Sequence, residues 1–186
     1  MTDRPGSDKG DNPAPHAGRG WLYRFRGVVV ADPAPSAGSI FIGTVGAGLA
    51  VAVIGLIGSL AGELLLIAPL GATSLLLFAV PESVMSQPRN VIVGHLIASA
   101  LGIGLAHLIG PGWGAAALAT GLAVGLMQLV RALHAPAGAT AVFSALQAHD
   151  WTYIGLPVIA CAAVVLAAAL IVNNLVPGRR YPVRWF

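Results

Sequence analysis

Thr73 and Thr140 close the same short pattern: "APLGAT" ends at Thr73 and "APAGAT" ends at Thr140. Their prolines, Pro69 and Pro136, stand 67 positions apart, each inside an apolar stretch. Proline and glycine interrupt regular structure, so a break repeated within apolar sequence predicts a built feature. A half-helix starting at such a break presents free backbone N–H groups and a positive dipole end, which together suit an anion. The residues expected to bind it are Gly71, Ala72, Thr73 and Ser74 from the first copy, with His134, Gly138, Ala139 and Thr140 from the second. Each threonine hydroxyl either donates to the anion or bonds back to its own helix. Gly71 and Gly138 admit either a ligand or a neighbouring helix. His134 is either a proton-coupling group, since imidazole titrates near neutral pH, or a hydrogen-bonded structural side chain.

A second polar group, Gln87, Arg89 and Asn90, opens an apolar segment that carries His95 five residues further on. These four are candidates for gating or for the inner mouth. Arg89 either attracts anions or anchors the topology and pairs with Glu82. His95 reads as structural, and His107 and His149 as interfacial. No His, Cys, Asp or Glu grouping has metal-ligand spacing, no nucleophile has an evident base, and no phosphate loop occurs. The expectation is a protein that is not an enzyme and uses neither metal nor cofactor.

The elements that must carry these residues follow from composition. Of 186 residues 56% are hydrophobic and only 9% charged, against about a quarter charged in soluble domains, and the mean hydropathy is +0.82. The chain is expected to be an integral membrane protein. A formal charge of +3 does not suggest a nucleic-acid partner. Between Ile40 and Val176 the only charged residues are Glu63, Glu82, Arg89, Arg131 and Asp150. The single Cys161 excludes an internal disulfide and reads as a buried thiol. No secretory signal is visible in the polar, Gly- and Pro-containing first 20 residues.

Residues 1–38 read as a disordered tail, an interfacial segment ("WLYRFRGVVV", Trp21 to Val30) and a Pro/Ala linker. Residues 39–176 form the transmembrane domain, and 177–186 a basic cytoplasmic tail. Four segments read as full spans: Ile40 to Gly62, Asn90 to Ile109, Trp113 to Val130 and Ile154 to Leu175. Small residues recur at helix-contact spacing in Gly58-x-x-x-Gly62, in Gly94, Ala98, Gly102 and Ala106, and in Gly121-x-x-x-Gly125. If the two Pro-x-Gly-Ala-Thr segments also cross, Arg89, Arg131, Arg179, Arg180 and Arg184 all fall on the side of the N-terminal arginines. The positive-inside rule then gives six crossings with both termini cytoplasmic, in the plasma (inner) membrane. The fold expected is all-α, with two inverted three-segment repeats (40–109 and 113–175). The second segment of each repeat is extended chain followed by a half-helix, Gly71 to Val80 and Ala137 to Gln147, with Thr73 and Thr140 near their starts.

The stretch "GATSLLLFAVPESVMSQPRNVIVGHLIASALG" (Gly71 to Gly102), with "HAPAGATAV" (His134 to Val142), resembles the HPP family of small integral membrane proteins. The likeness covers nearly all of Ile40 to Leu175, and "QPRNVIVGH" (Gln87 to His95) is its most specific part. The family takes its name from a His-Pro-Pro tripeptide before Gly-Ala-Thr, where this chain has His134-Ala135-Pro136. Plastid and cyanobacterial members are associated with nitrite transport. The resemblance therefore implies a transporter of a small inorganic anion, with nitrite the first candidate. A non-transporting module that senses an anion or supports a complex, and a narrow anion channel, are the alternatives. The expected partners are that anion, the lipid bilayer and, as one option, a second copy of the chain.

Overall fold

A computed structural model describes residues 34–62, 68–147 and 149–185. The chain divides into two units, Met1–Ala34 and Pro35–Phe186, and the second carries every described helix. The expected N-terminal tail and interfacial segment lie outside the described residues, as does the stretch from Glu63 to Ile67, for which extended chain is expected.

Among the described residues six helices follow one another: α1 (Ala37–Ala61), α2 (Ala68–Ala79), α3 (Pro88–Ile109), α4 (Trp113–Leu129), α5 (Ala135–Leu146) and α6 (Ala160–Leu175). A 3₁₀ turn (Val84–Ser86) precedes α3, and a wide helical segment (Ile154–Ile159), interrupted at Leu156 by extended backbone (φ −135°, ψ 125°), leads into α6. Among the described residues there is no strand.

Local chemistry sets the ends. Ser36 caps α1 by accepting from the Ser39 N–H, and Gly62 closes it at φ 70°, donating to the Gly58 carbonyl. Gly62 of Gly58-x-x-x-Gly62 is therefore a helix end instead of a packing contact. Pro88 opens α3, and Pro136 sits in the first turn of α5, where a missing N–H costs nothing. Beyond α4, the Arg131 N–H donates to the Gln128 carbonyl (3.0 Å) and the Ala132 N–H to the Met127 carbonyl (2.8 Å). Arg131 adopts φ 54°, the left-handed position that glycine usually fills in this Schellman ending.

Among the described residues three stretches, Ala37–Leu60, Pro88–Ile109 and Ile154–Leu175, are long and apolar enough to cross a membrane. The fourth expected span is shorter than the others: α4 has 17 residues, about 26 Å at ~1.5 Å per residue. It joins α2 and α5 among the shorter apolar helices.

Packing gives two groups. Ile54, Leu70, Leu77, Phe78, Val165 and Ala169 knit α1, α2 and α6. Ala98, Ala119, Ala123, Ala137 and Ala141 knit α3, α4 and α5. The third helix of each sequence half thus packs on the first two helices of the other half. Small residues allow the closest approach. A Cβ added at Gly94 would lie 2.7 Å from the His134 Cβ, and one at Gly102 would lie 2.6 Å from the Ser144 Cβ. The series Gly94, Ala98, Gly102, Ala106 is buried as expected, while added Cβ atoms at Gly121 and Gly125 would meet open space.

Polarity is reversed relative to a soluble domain. Phe41, Leu49, Leu56, Leu122, Leu129 and Ile171 are exposed, while Thr73, Gln87, His95, His134, Thr140 and Asn173 are buried. A surface of this kind needs an apolar solvent.

Candidate functional site: a buried histidine–threonine chain

The two motif threonines do converge, though not as capping residues of opposed helix ends. The described part of α2 already begins at Ala68 and α5 begins at Ala135, both earlier than expected, so Thr140 is the sixth residue of its helix and Thr73 lies at least as deep in its own. The free N–H groups of a helix belong to its first four residues. The threonines are therefore placed to work through their hydroxyls alone.

Those hydroxyls are linked by imidazoles. Thr140 Oγ1 lies 2.8 Å from His95 Nδ1, and His95 Nε2 lies 2.9 Å from Thr73 Oγ1. Thr73 Oγ1 lies 3.0 Å from His134 Nε2, and His134 Nδ1 lies 2.8 Å from the Met85 carbonyl. The rings of His95 and His134 meet edge-on, 4.9 Å between centroids. All four side chains are 0% exposed. The position between the threonines, where an anion was expected, is filled by the His95 ring. His95 thus lies at the centre of this cluster, in contact with both threonines. Both Thr73–histidine contacts therefore tie α2, of the first packing group, to α3 and the start of α5; α3 itself touches both groups, through Val91 on one side and Ala98 on the other.

The remaining expected residues divide clearly. Ser74 is buried but donates to the Leu70 carbonyl at 2.9 Å, satisfied within its own helix. Gly71, Ala72 and Ala139 face outward, and Gly138 is half-buried. Added Cβ atoms at Gly71 and Gly138 would meet nothing within 4 Å, so neither position shows a close approach. Gly71 instead lines an apolar groove of about 640 Å³ against α1.

Gln87, Arg89 and Asn90 stitch the chain together where gating was expected. Gln87 Nε2 donates to the Pro81 (3.0 Å) and Ser83 (2.8 Å) carbonyls, while its Oε1 accepts from the N–H groups of Val183 (2.9 Å) and Arg184 (3.1 Å). Arg89 donates to the Arg131 (2.8 Å) and Val130 (2.9 Å) carbonyls, so its guanidinium closes the end of α4 in place of the expected pair with Glu82. Asn90 donates to the Leu133 carbonyl at 3.0 Å, next to His134. These three side chains hold the α4–α5 link, the turn before α3 and the C-terminal segment in one place. The same turn presents the Met85 carbonyl to His134. A depression of about 410 Å³ lies over this junction, lined by Val84, Gln87, Arg89, Asn90, Val130, Arg131, Arg184 and Trp185. The interfacial reading suits His107, which is exposed and meets Trp151 edge-on, whereas His149 stacks on Tyr153 at 3.6 Å between centroids.

The anchors of the tail gave no signal in the sequence. Tyr181 is buried and its hydroxyl donates to the Ser86 carbonyl at 2.5 Å; burial pushes that hydroxyl's pKa well above its usual value. Arg179 donates to Asn173 Oδ1 (3.0 Å) and to the Phe78 carbonyl (3.3 Å) near the end of α2, and Asn173 donates to the Leu77 carbonyl (3.0 Å). The basic tail is docked on the helices. A lone tyrosine among arginines carries no pattern by which sequence could show this.

The transmembrane region of the HPP family matches residues 32–182, which include every element of this site. The chain belongs to the HPP family. This HPP protein is 35% identical over 129 residues to each of two curated proteins of Dictyostelium discoideum, each named only as a transmembrane protein. The matched stretch covers 65% of this chain and 45% or 42% of theirs, so the HPP chain spans less than half the length of these relatives. No solved structure matches it. Among the described residues, no group of three or more His, Cys, Asp or Glu side chains is arranged to hold a metal.

Proposed function

We propose that this protein is a membrane transporter of a small inorganic anion, with nitrite the first candidate on the family resemblance, and that it is not an enzyme. The observation that carries the reading is the convergence of both Pro-x-Gly-Ala-Thr motifs on His95, where α2 meets α3 and α5. Ionisable side chains buried among apolar helices are costly and, in membrane proteins, usually serve a pathway. Movement of α2 relative to α3 and α5 parts Thr73 from His95 and His134. The freed hydroxyl and imidazole N–H groups then become donors for one small acceptor.

The partner exchange between sequence halves supports an inverted repeat. With six crossings, Arg89, Arg131, Arg179, Arg180 and Arg184 lie on the cytoplasmic side together with both termini, in the plasma membrane. The depression lined by Arg89, Arg131 and Arg184 is then an inner vestibule, where three cations raise the local anion concentration. A module that senses an anion without moving it is the second reading, favoured by the complete burial of all four side chains.

Purified protein in liposomes, offered nitrite, nitrate, chloride and formate, separates these. Saturable, selective, protein-dependent uptake with counterflow supports the carrier. Binding without flux supports the sensing module, and selective flux without saturation or counterflow supports a channel. Uptake no faster than in empty vesicles, with no binding, overturns the anion reading.

A further inference from the structure

We infer that His134 Nε2 is the seat of a transported proton, which makes the protein a proton–anion symporter; this rests on the transport reading above. The hydrogens available around the Thr73 hydroxyl decide it. That oxygen has three partners at hydrogen-bond distance: His95 Nε2 at 2.9 Å, His134 Nε2 at 3.0 Å and the Pro69 carbonyl at 3.1 Å. A hydroxyl has one hydrogen to give and two lone pairs to receive.

At the far end of the chain, a carbonyl can only accept, so His134 Nδ1 carries a hydrogen and donates it to Met85. If both rings are neutral, His134 Nε2 is a bare acceptor and needs the Thr73 hydrogen. His95 Nε2 must then donate to Thr73, and Thr140 must donate to His95 Nδ1. Every bond points toward Met85, and the Pro69 contact is left without a hydrogen. If Thr73 gives its hydrogen to Pro69 instead, two lone pairs face each other across 3.0 Å at His134.

One additional proton resolves the conflict. Placed on His134 Nε2, it donates to Thr73, which also accepts from His95 and turns its own hydrogen to Pro69. All three contacts at Thr73 become hydrogen bonds through rotation of one hydroxyl. An additional proton on His95 does not achieve this, because Thr73 must still choose between His134 and Pro69. The chain thus has a neutral form and a singly protonated form, and only the second satisfies every contact in the observed geometry.

The groups facing His134 supply no counter-charge. From α2 it meets the Thr73 hydroxyl, from α3 the His95 ring and the Gly94 backbone, and from the turn before α3 the Met85 carbonyl. Among the described residues no carboxylate bonds to either ring. The nearby Arg89 is engaged with the Val130 and Arg131 carbonyls. A buried imidazolium without a partner is costly, and a monovalent anion removes that cost. Proton and anion therefore travel together without net charge: the proton binds the Nε2 lone pair on one side and is released on the other.

Two measurements test this. In proteoliposomes with the membrane potential clamped, a gradient of one pH unit, acid outside, should accumulate nitrate about ten-fold, since a proton gradient of one unit stores ~1.4 kcal/mol. Nitrite is run beside it, with empty vesicles correcting for nitrous acid that crosses unaided. His134→Gln, which keeps a donor but has no basic nitrogen, should lose accumulation. Downhill uptake by the wild type without accumulation overturns the proton inference and leaves the transport reading standing. No protein-dependent flux of any anion overturns the transport reading and the symport with it. The seat itself is read by ¹⁵N spectra of histidine-labelled protein in nanodiscs. On acidification His134 should become doubly protonated before His95, and the opposite order overturns the assignment.

Discussion

At the scale of single residues, the hydroxyls of Thr73 and Thr140 differ from that of Thr120 in what they touch. Thr120 donates only to the Ala116 carbonyl of its own helix at 2.8 Å, whereas the motif threonines satisfy buried ring nitrogens. Thr140→Val leaves His95 Nδ1 without a partner, which costs about 1–3 kcal/mol. Thr73→Val should cost at least as much, because two rings lose a partner. Thr120→Val should fall within about 0.5 kcal/mol of wild type. Thermal unfolding of the three variants in detergent checks this ranking, and equal losses at all three positions would contradict it. The sequence made the threonines and His134 legible through their repeated setting. It did not reveal His95 as the bridge, because a histidine inside an apolar helix has no periodic partner in sequence. Only the placement of α3 against α5 shows that its ring reaches both motifs.

Helix ends and contacts form the next scale. Gly94 is the point at which α3 admits His134, and the Cβ of Gly94→Ala would collide with the Cβ of His134 at 2.7 Å. Neither atom lies at the end of a flexible side chain, so the helices must separate, at about 1–3 kcal/mol. That variant should melt earlier, and its His134–Met85 bond should lengthen. Arg131→Gly should do the reverse for stability. It places the residue suited to φ 54° at the end of α4 and should gain about 0.5–1 kcal/mol. Because it also removes a cation from the depression near Arg184, it should slow anion entry at low ionic strength. A melting curve and a salt series on one sample read both effects. Helix existence was legible from apolar length and small-residue spacing. The start of α5 was not, because proline is tolerated in the first turn of a helix as readily as it breaks one. The motif placed the start of α5 at Ala137, two residues beyond where the helix begins.

For the molecule as a whole, membrane character was legible from composition alone, and the exposed apolar surface agrees with it. The exchange of third helices between the two groups was not legible, since nothing local records which helix packs on which. The proposed six crossings predict that cysteines placed at Asp150 and at Gly178 label from opposite sides of the membrane; labelling from one side would exclude the inverted repeat. The central claim is that the buried histidine–threonine chain is the working site of an anion carrier, and nitrite counterflow with His95→Gln tests it most directly. Gln can replace the contact to Thr73 or the one to Thr140, but it cannot bridge both as the ring does. Counterflow should then run at least about ten-fold below wild type at equal folded protein, an effect of ~1.4 kcal/mol or more, with His107→Gln unchanged. Wild-type counterflow in folded His95→Gln would contradict the claim.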